Sequence, residues 1–247
     1  MSKRSKVVDN VEIYNCDFIC DYVMNEDFDM IMTIFQNFIP KEFNLDFKNI
    51  TEIVLSDTDL ALCMRNCLSE DDPNNLDVDP EDSTLLSLTT VINLKKHQNE
   101  ISIVQLLSSI KANIANDTIG LEIIKILEDP VNNIGFVINE RNINNSSLTL
   151  RVLETVFEDI IKFQSTDEEL KYSHYCILLT LSKNCSTGDL EFYHEEMKKV
   201  YGKLTYKSLF KIESETSDKG SSVSIQGYRA FVLFPSNELD KFLSYIK

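Results

Sequence analysis

A mixed β-sheet flanked by helices, of the α/β class, is the fold this chain predicts. Three observations carry it. Strand-like and helix-like segments mingle along all 247 residues, with no internal repeat. Gaps of hairpin length and of crossover length both occur between the strand-like runs, which calls for helices laid over a mixed sheet. Hydrophobic residues make up 43%, and fourteen Phe and nine Tyr beside no Trp supply the large rings of a core. Residues 1–10 read as a flexible basic N-terminus and residues 11–247 as a single domain.

Val11-Glu12-Ile13-Tyr14 alternates as a short strand does. Phe28, Ile31, Met32, Phe35, Phe38 and Ile39 then keep helical spacing up to Pro40. Asn25 is the expected N-cap, with Glu26 and Asp27 in the first turn, where the helix dipole favours acids. A short helix is expected over Lys48 to Leu55 and a strand over Thr58 to Leu68. The run from Ser69 to Asp82 holds seven acids, two prolines and no base, so residues 69–83 read as an acidic loop. Leu86, Leu88, Thr90 and Ile92 mark the next strand, which is placed to pair with the preceding one as a long-looped hairpin.

A helical face of Ile101, Val104, Leu107 and Ile110 or Lys111 comes next, then a short helix from Ile119 to Leu127 ahead of Pro130. Phe136 to Asn139 read as a buried strand that runs into the charged pair Glu140-Arg141. A long helix from Ser147 to Phe163 follows, its apolar face made by Leu150, Leu153, Val156, Phe157, Ile160 and Ile161. Tyr172 to Leu181 is strand-like, Asp189 to Lys199 resembles a charged helix, and Leu204 to Glu213 is again strand-like. Residues 213–224 are rich in Ser, Asp and Gly and read as a mobile loop. Arg229 to Phe234 is a strand closed by Pro235, and Asn237 to Ile246 a final helix.

Catalytic and metal motifs fail one by one. Cys16-x3-Cys20 and Cys63-x3-Cys67 are wider by one than a zinc knuckle. On a strand, positions four apart stand roughly 13 Å from each other, too far to share an ion. His194-Glu195-Glu196 lacks the second histidine of the zinc-protease helix, since Lys198 stands there. His174 and Cys176 would share a strand face, with no third group to orient them. The six glycines form no Gly-x-Gly and no phosphate loop, so no nucleotide or coenzyme is expected to find a backbone cradle. No metal, cofactor or small-molecule substrate is called for.

Net charge is -16, from 24 basic and 40 acidic residues. That balance excludes general binding to a phosphate backbone and favours basic partners. Met1-Ser2-Lys3-Arg4-Ser5-Lys6 leads into Val7-Val8-Asp9, not into an apolar run, so no signal peptide is expected. No run approaches the roughly 18 apolar residues of a membrane-spanning helix. The thiols are read as reduced, intracellular and mostly packed. Glu70, Asp71, Asp72, Asp77, Asp79, Glu81 and Asp82 stand as either a solvated insert or an electrostatic lure for a Lys/Arg-rich surface. Glu140 and Arg141, at a strand end, stand as an ion-pair clamp, a partner contact or, against the habit of Arg, a catalytic pair.

Four stretches together resemble the BCCIP family of eukaryotic nuclear partner-binding proteins. They are Val11 to Tyr14 with the later Asp27-Phe28; Ser83 to Leu94; Asn133-Ile134-Gly135-Phe136-Val137-Ile138-Asn139-Glu140-Arg141-Asn142-Ile143-Asn144; and Glu191 to Glu196 with Arg229 to Pro235. Their order and spacing hold over roughly residues 11 to 246. The chain departs from the family in having Asn139 for a Ser, and Asn145-Ser146-Ser147 for a Met-Pro-Pro type turn. The resemblance implies a GCN5-related acetyltransferase-like fold without an acetyl-CoA site. It further implies a non-catalytic nuclear chaperone or adaptor for a basic large-subunit ribosomal protein, working with transport factors in ribosome assembly or export. A scaffold in cell-cycle or DNA-repair complexes and an acetyltransferase-like enzyme are the alternatives.

Overall fold

The computed structural model describes residues 16–68, 85–141, 146–184, 187–212 and 225–246. The expected strand Val11 to Tyr14, the acidic loop and the loop 213–224 lie outside them. The first half runs β1 (Cys16–Tyr22), α1 (Phe28–Phe38), α2 (Phe47–Ser56), β2 (Ala61–Leu68), β3 (Leu85–Asn93), α3 (Ile101–Ile114), α4 (Thr118–Glu128) and β4 (Ile134–Arg141). The second runs α5 (Ser146–Phe163), β5 (His174–Asn184), β6 (Leu190–Phe192), α6 (Met197–Lys203), β7 (Tyr206–Lys211), β8 (Ile225–Pro235) and α7 (Leu239–Ile246).

Eight strands form one sheet in the order β1-β2-β3-β4-β5-β8-β7, with β6 attached to β5. The neighbours are antiparallel except β4 and β5, which are parallel and joined through α5. Sheet and helices thus form the mixed α/β arrangement expected, and β2 and β3 are the expected hairpin arms. Side chains alternate across each strand, so the sheet separates two cores. Phe136, Ile138, Leu178 and Phe231 turn toward α1 to α4. Val137, Tyr175, Ile177, Val232 and Phe234 turn toward α5, α6 and α7. In the second core the Phe234 and Phe242 rings stack at 4.5 Å, and Phe157 meets Tyr175 edge-on at 5.1 Å.

The sheet admits no side chain at Gly135. A Cβ there would stand 2.7 Å from Val91 Cγ1, 3.0 Å from Tyr175 Cδ1 and 3.2 Å from Tyr172 Cδ1. Gly135→Ala should therefore destabilise the fold by about 1–3 kcal/mol through overpacking. Urea unfolding checks this, and an unchanged midpoint would show that Val91 and the two rings give way freely.

Several elements differ from expectation, for identifiable reasons. Asn25 to Asp27 form a 3-10 turn and α1 starts at Phe28, so Asn25 is not the cap. The Asp27 carboxylate turns back to accept the Met24 N–H at 2.8 Å and is ion-paired with Arg65 inside the protein. On α3 the buried face is Ile103, Leu106, Ile110 and Ile114, while Ile101 and Val104 are exposed. Apolar residues occupy both stripes, and packing against α2, α4 and β7 chooses between them. Asp189 to Lys199 is not one helix: Leu190 and Phe192 alternate around Glu191 as β6, and α6 begins only at Met197. Thr58 to Leu60 is a 3-10 turn before β2.

Candidate functional site

The parallel ladder of β4 and β5 is short. It joins Ile134–Val137 to His174–Ile177 and goes no further. Beyond it, β6 takes over the edge of β5, with Leu181, Ser182 and Lys183 opposite Phe192, Glu191 and Leu190. The Tyr193 N–H donates to the Thr180 carbonyl at 3.0 Å and extends that ladder by one bond. The chain then enters the gap left between the two strands. His194 and Met197 line it together with Asn139, Glu140 and residues 177–180, and about 10 Å³ is left free. A gap this full has no room for a coenzyme arm without displacing the segment 193–197.

Glu140 and Arg141 are the last two residues of β4, paired across the ladder with Leu88 and Ser87 of β3. They do not stand past the strand as a free charged junction. Successive residues point to opposite faces, and the two side chains grip the inserted segment accordingly. Glu140 Oε2 lies 3.4 Å from His194 Nε2. Arg141 Nη2 lies 2.9 Å from Glu196 Oε1 and donates to Oε2 at 3.0 Å. The Arg141 and Glu196 side chains are only 5% and 8% exposed. Both side chains are thus paired within the chain, as an ion-pair clamp would have them.

The clamp is braced on both sides. Thr89 donates to Asn139 Oδ1 at 2.9 Å, and both residues are buried. On β8, Arg229 donates to the carbonyl of Phe38 at the end of α1 and to the carbonyl of Tyr228. The guanidinium thus satisfies one of the orphan carbonyls that every helix C-terminus leaves. Burial pushes the Arg229 pKa down, and the charges of Glu140 and Glu42 pull against that shift. A guanidinium starts so far above neutrality that the charge survives.

The remaining candidates behave as packed groups. Burial lifts the Cys63 thiol to about 12 and raises Cys176 as well, opposite to what a nucleophilic thiolate needs. Burial lowers the His174 pKa, and its Nδ1 lies 3.0 Å from Ser173 Oγ. Cys63 and Cys67 lie on β2 four positions apart. No group of three or more His, Cys, Asp or Glu side chains is placed to hold a metal ion among the described residues. No described helix is long and apolar enough to cross a membrane.

Glu70, Asp71, Asp72, Asp77, Asp79, Glu81 and Asp82 lie outside the described residues, but their anchors do not. Arg65 of β2 is opposite Leu85, and Ser87 of β3 is opposite Arg141. The strand ends that flank the acidic segment therefore lie at the same end of the sheet as the clamp. Sequence reading missed His194 and Glu196 as the partners of Glu140 and Arg141. The readable signal was charge complementarity, an acid–base doublet on a strand answered by a His-x-Glu element. Tyr193, between them and β6, is 62% exposed and stands edge-on to the His194 ring at 4.9 Å.

Three comparisons bear on what the chain is. The family model for BCCIP matches residues 13–220. Protein bcp1 of Aspergillus oryzae is 28% identical over 234 residues, covering 89% of this chain and 80% of that protein. Among solved structures, FeeM, an N-acyl amino acid synthase from uncultured soil microbes, aligns with a TM-score of 0.37 and 11% identity over 87% of this chain and 89% of its own.

Proposed function

The chain belongs to the BCCIP family, and on that premise we propose that it works by holding a basic protein client, with no bond-making of its own. The client class is a large-subunit ribosomal protein, kept soluble in the nucleus until assembly or export. One observation carries the non-catalytic part: the gap between β4 and β5 is filled by the chain's own segment 193–197 and pinned from two faces. The charge of -16 supports a basic client. Carboxylates between Glu70 and Asp82 would draw the client to the end of the sheet where their flanking strands end. Tyr193 would then offer an aromatic contact of the kind that anchors interfaces. Glu140 and Arg141 serve this indirectly, by fixing the segment that carries Tyr193.

The test uses large-subunit ribosomal proteins extracted in denaturant and diluted into buffer with the purified chain. One of them should stay soluble in a one-to-one complex. Its affinity should fall by at least about ten-fold between 50 and 500 mM salt, because exposed charges are screened beyond about 10 Å at 0.1 M. Flat affinity across that range would remove the electrostatic part. Failure to keep any of these proteins in solution would remove the client class. Saturable binding of acetyl-CoA in calorimetry would favour an enzyme instead.

A further inference from the structure

A second cavity lies at the other end of β4, away from the clamp. It encloses about 300 Å³ between the end of α2, the end of β3 and the turn after α5. That is the small end of the range of roughly 300–1,000 Å³ for ligand pockets, and suits one side chain better than a cofactor. Its rim carries four carboxylates, Asp57, Asp59, Asp167 and Glu169, against the single base Lys96. Lys96 Nζ is 2.6 Å from Asp57 Oδ1 and 3.5 Å from Glu169 Oε2, and His97 Nε2 is 2.9 Å from Asp57 Oδ2. Asp57 is thereby satisfied. Among the described residues, Asp167 accepts only the Glu169 N–H, at 2.9 Å, and Asp59 has no cationic partner.

The floor supplies an independent observation. Tyr172 lines the cavity, is 6% exposed, and its hydroxyl has no hydrogen-bond partner among the described residues. A buried hydroxyl without a partner is costly and rare. Burial chiefly raises the pKa of this phenol, and the charges of Asp57, Asp167 and Glu169 add to it, so the hydroxyl sits among the cavity's acids as a neutral group. Leu60, Phe163 and Leu170 provide apolar wall. Carboxylates at the mouth, an unmatched oxygen below and apolar sides complement a long cationic side chain, which buries a methylene stem and presents its donors at the tip. No three ligating groups converge as a metal ion would require, among the described residues.

We propose that this cleft takes the guanidinium of an arginine side chain from a basic polypeptide. Arginine is favoured over lysine because its planar fork of five donors serves several separate acceptors at once and is the more weakly hydrated of the two cations. This site stands apart from the strand ends that flank the acidic segment: Gly135, opposite Asn93, marks its end of β4, and Arg141 marks the other.

The test titrates the full chain with a short Gly/Ser peptide carrying one central arginine, followed by amide NMR. Matched peptides carry lysine or citrulline, and spermidine serves as a free cation. The arginine peptide should shift amides at residues 57–60 and 166–172. Removing two charge-assisted acceptors together, Asp59→Asn with Asp167→Asn, should weaken it about ten-fold. Asn retains the turn cap at 167, and Tyr172→Phe, which deletes only the hydroxyl, is a second variant expected to weaken it. Neutralising the seven acids between residues 70 and 82 should leave these shifts in place, which separates this site from the client-steering reading. Equal binding by the citrulline peptide, equal binding by lysine, tighter binding by spermidine, or shifts that avoid the cleft would each overturn the assignment.

Discussion

Arg65→Met should lower the stability of this protein by about 3–5 kcal/mol, the cost of leaving a buried carboxylate without its cation. Asp27 is 1% exposed, and both its oxygens are held by the Arg65 guanidinium. The bond to Asp27 is the chief reason the Arg65 pKa is raised, so the cation is permanently in place. The pair ties the turn before α1 to β2, two segments far apart in sequence. Asp27 also accepts the Met24 N–H, so its displacement would loosen the start of α1 as well. The melting temperature should drop by roughly 6–20 °C, at about 2–4 °C per kcal/mol for a chain of this size. The double replacement Asp27→Leu with Arg65→Met should recover much of the loss, because an apolar pair of similar volume can match a buried ion pair. A single variant as stable as the parent would show that water reaches Asp27.

Arg141→Met should have a comparable effect by a different route. Its partner Glu196 would be stranded at 8% side-chain exposure, again worth about 3–5 kcal/mol. Here the strain has an outlet, since residues 193–197 are an insertion between two strands and can leave. The variant should thus show a local signature: amide exchange across residues 190–197 should speed up more than exchange in the β5–β8 ladder, as local opening predicts. Arg141→Met with Glu196→Leu should restore protection. Uniform acceleration across the sheet would mean that Arg141 supports the fold at large and not the inserted segment in particular.

Much of the architecture was legible because periodicity reports local environment. The hairpin arms β2 and β3 could be read across the acidic run, since the apolar pattern resumes at Leu85. The strand ending at Glu140-Arg141 was recognisable, and its family wording pointed to the right relatives. What periodicity cannot report is which of two apolar stripes is covered, and α3 shows this: Ile101 and Val104 fit a helix as well as Ile103 and Leu106 do. The segment 189–199 misled for a related reason. Its acids and bases suit an exposed helix, yet a vacant edge on β5 recruits Leu190–Phe192 as strand. The clamp and the acidic cleft were invisible because each collects residues from distant stretches. Asp57, Lys96, Glu169 and Tyr172 share nothing in sequence that marks them as neighbours.

The four-residue seam between β4 and β5 has a consequence during synthesis. Among the described residues, strands β1 to β4 pair only with one another up to that seam, so their ladders are available once residue 141 has emerged. β5 is different: its main partner is β8, through eleven pairs, and β8 is made last but for α7. β7 pairs with β8 as well. Until Pro235 leaves the exit tunnel, the nascent protein therefore carries two strands with most of their backbone donors and acceptors unpaired, the kind of edge that invites association between chains. The chain's own protection from such association therefore depends on a strand that is made late.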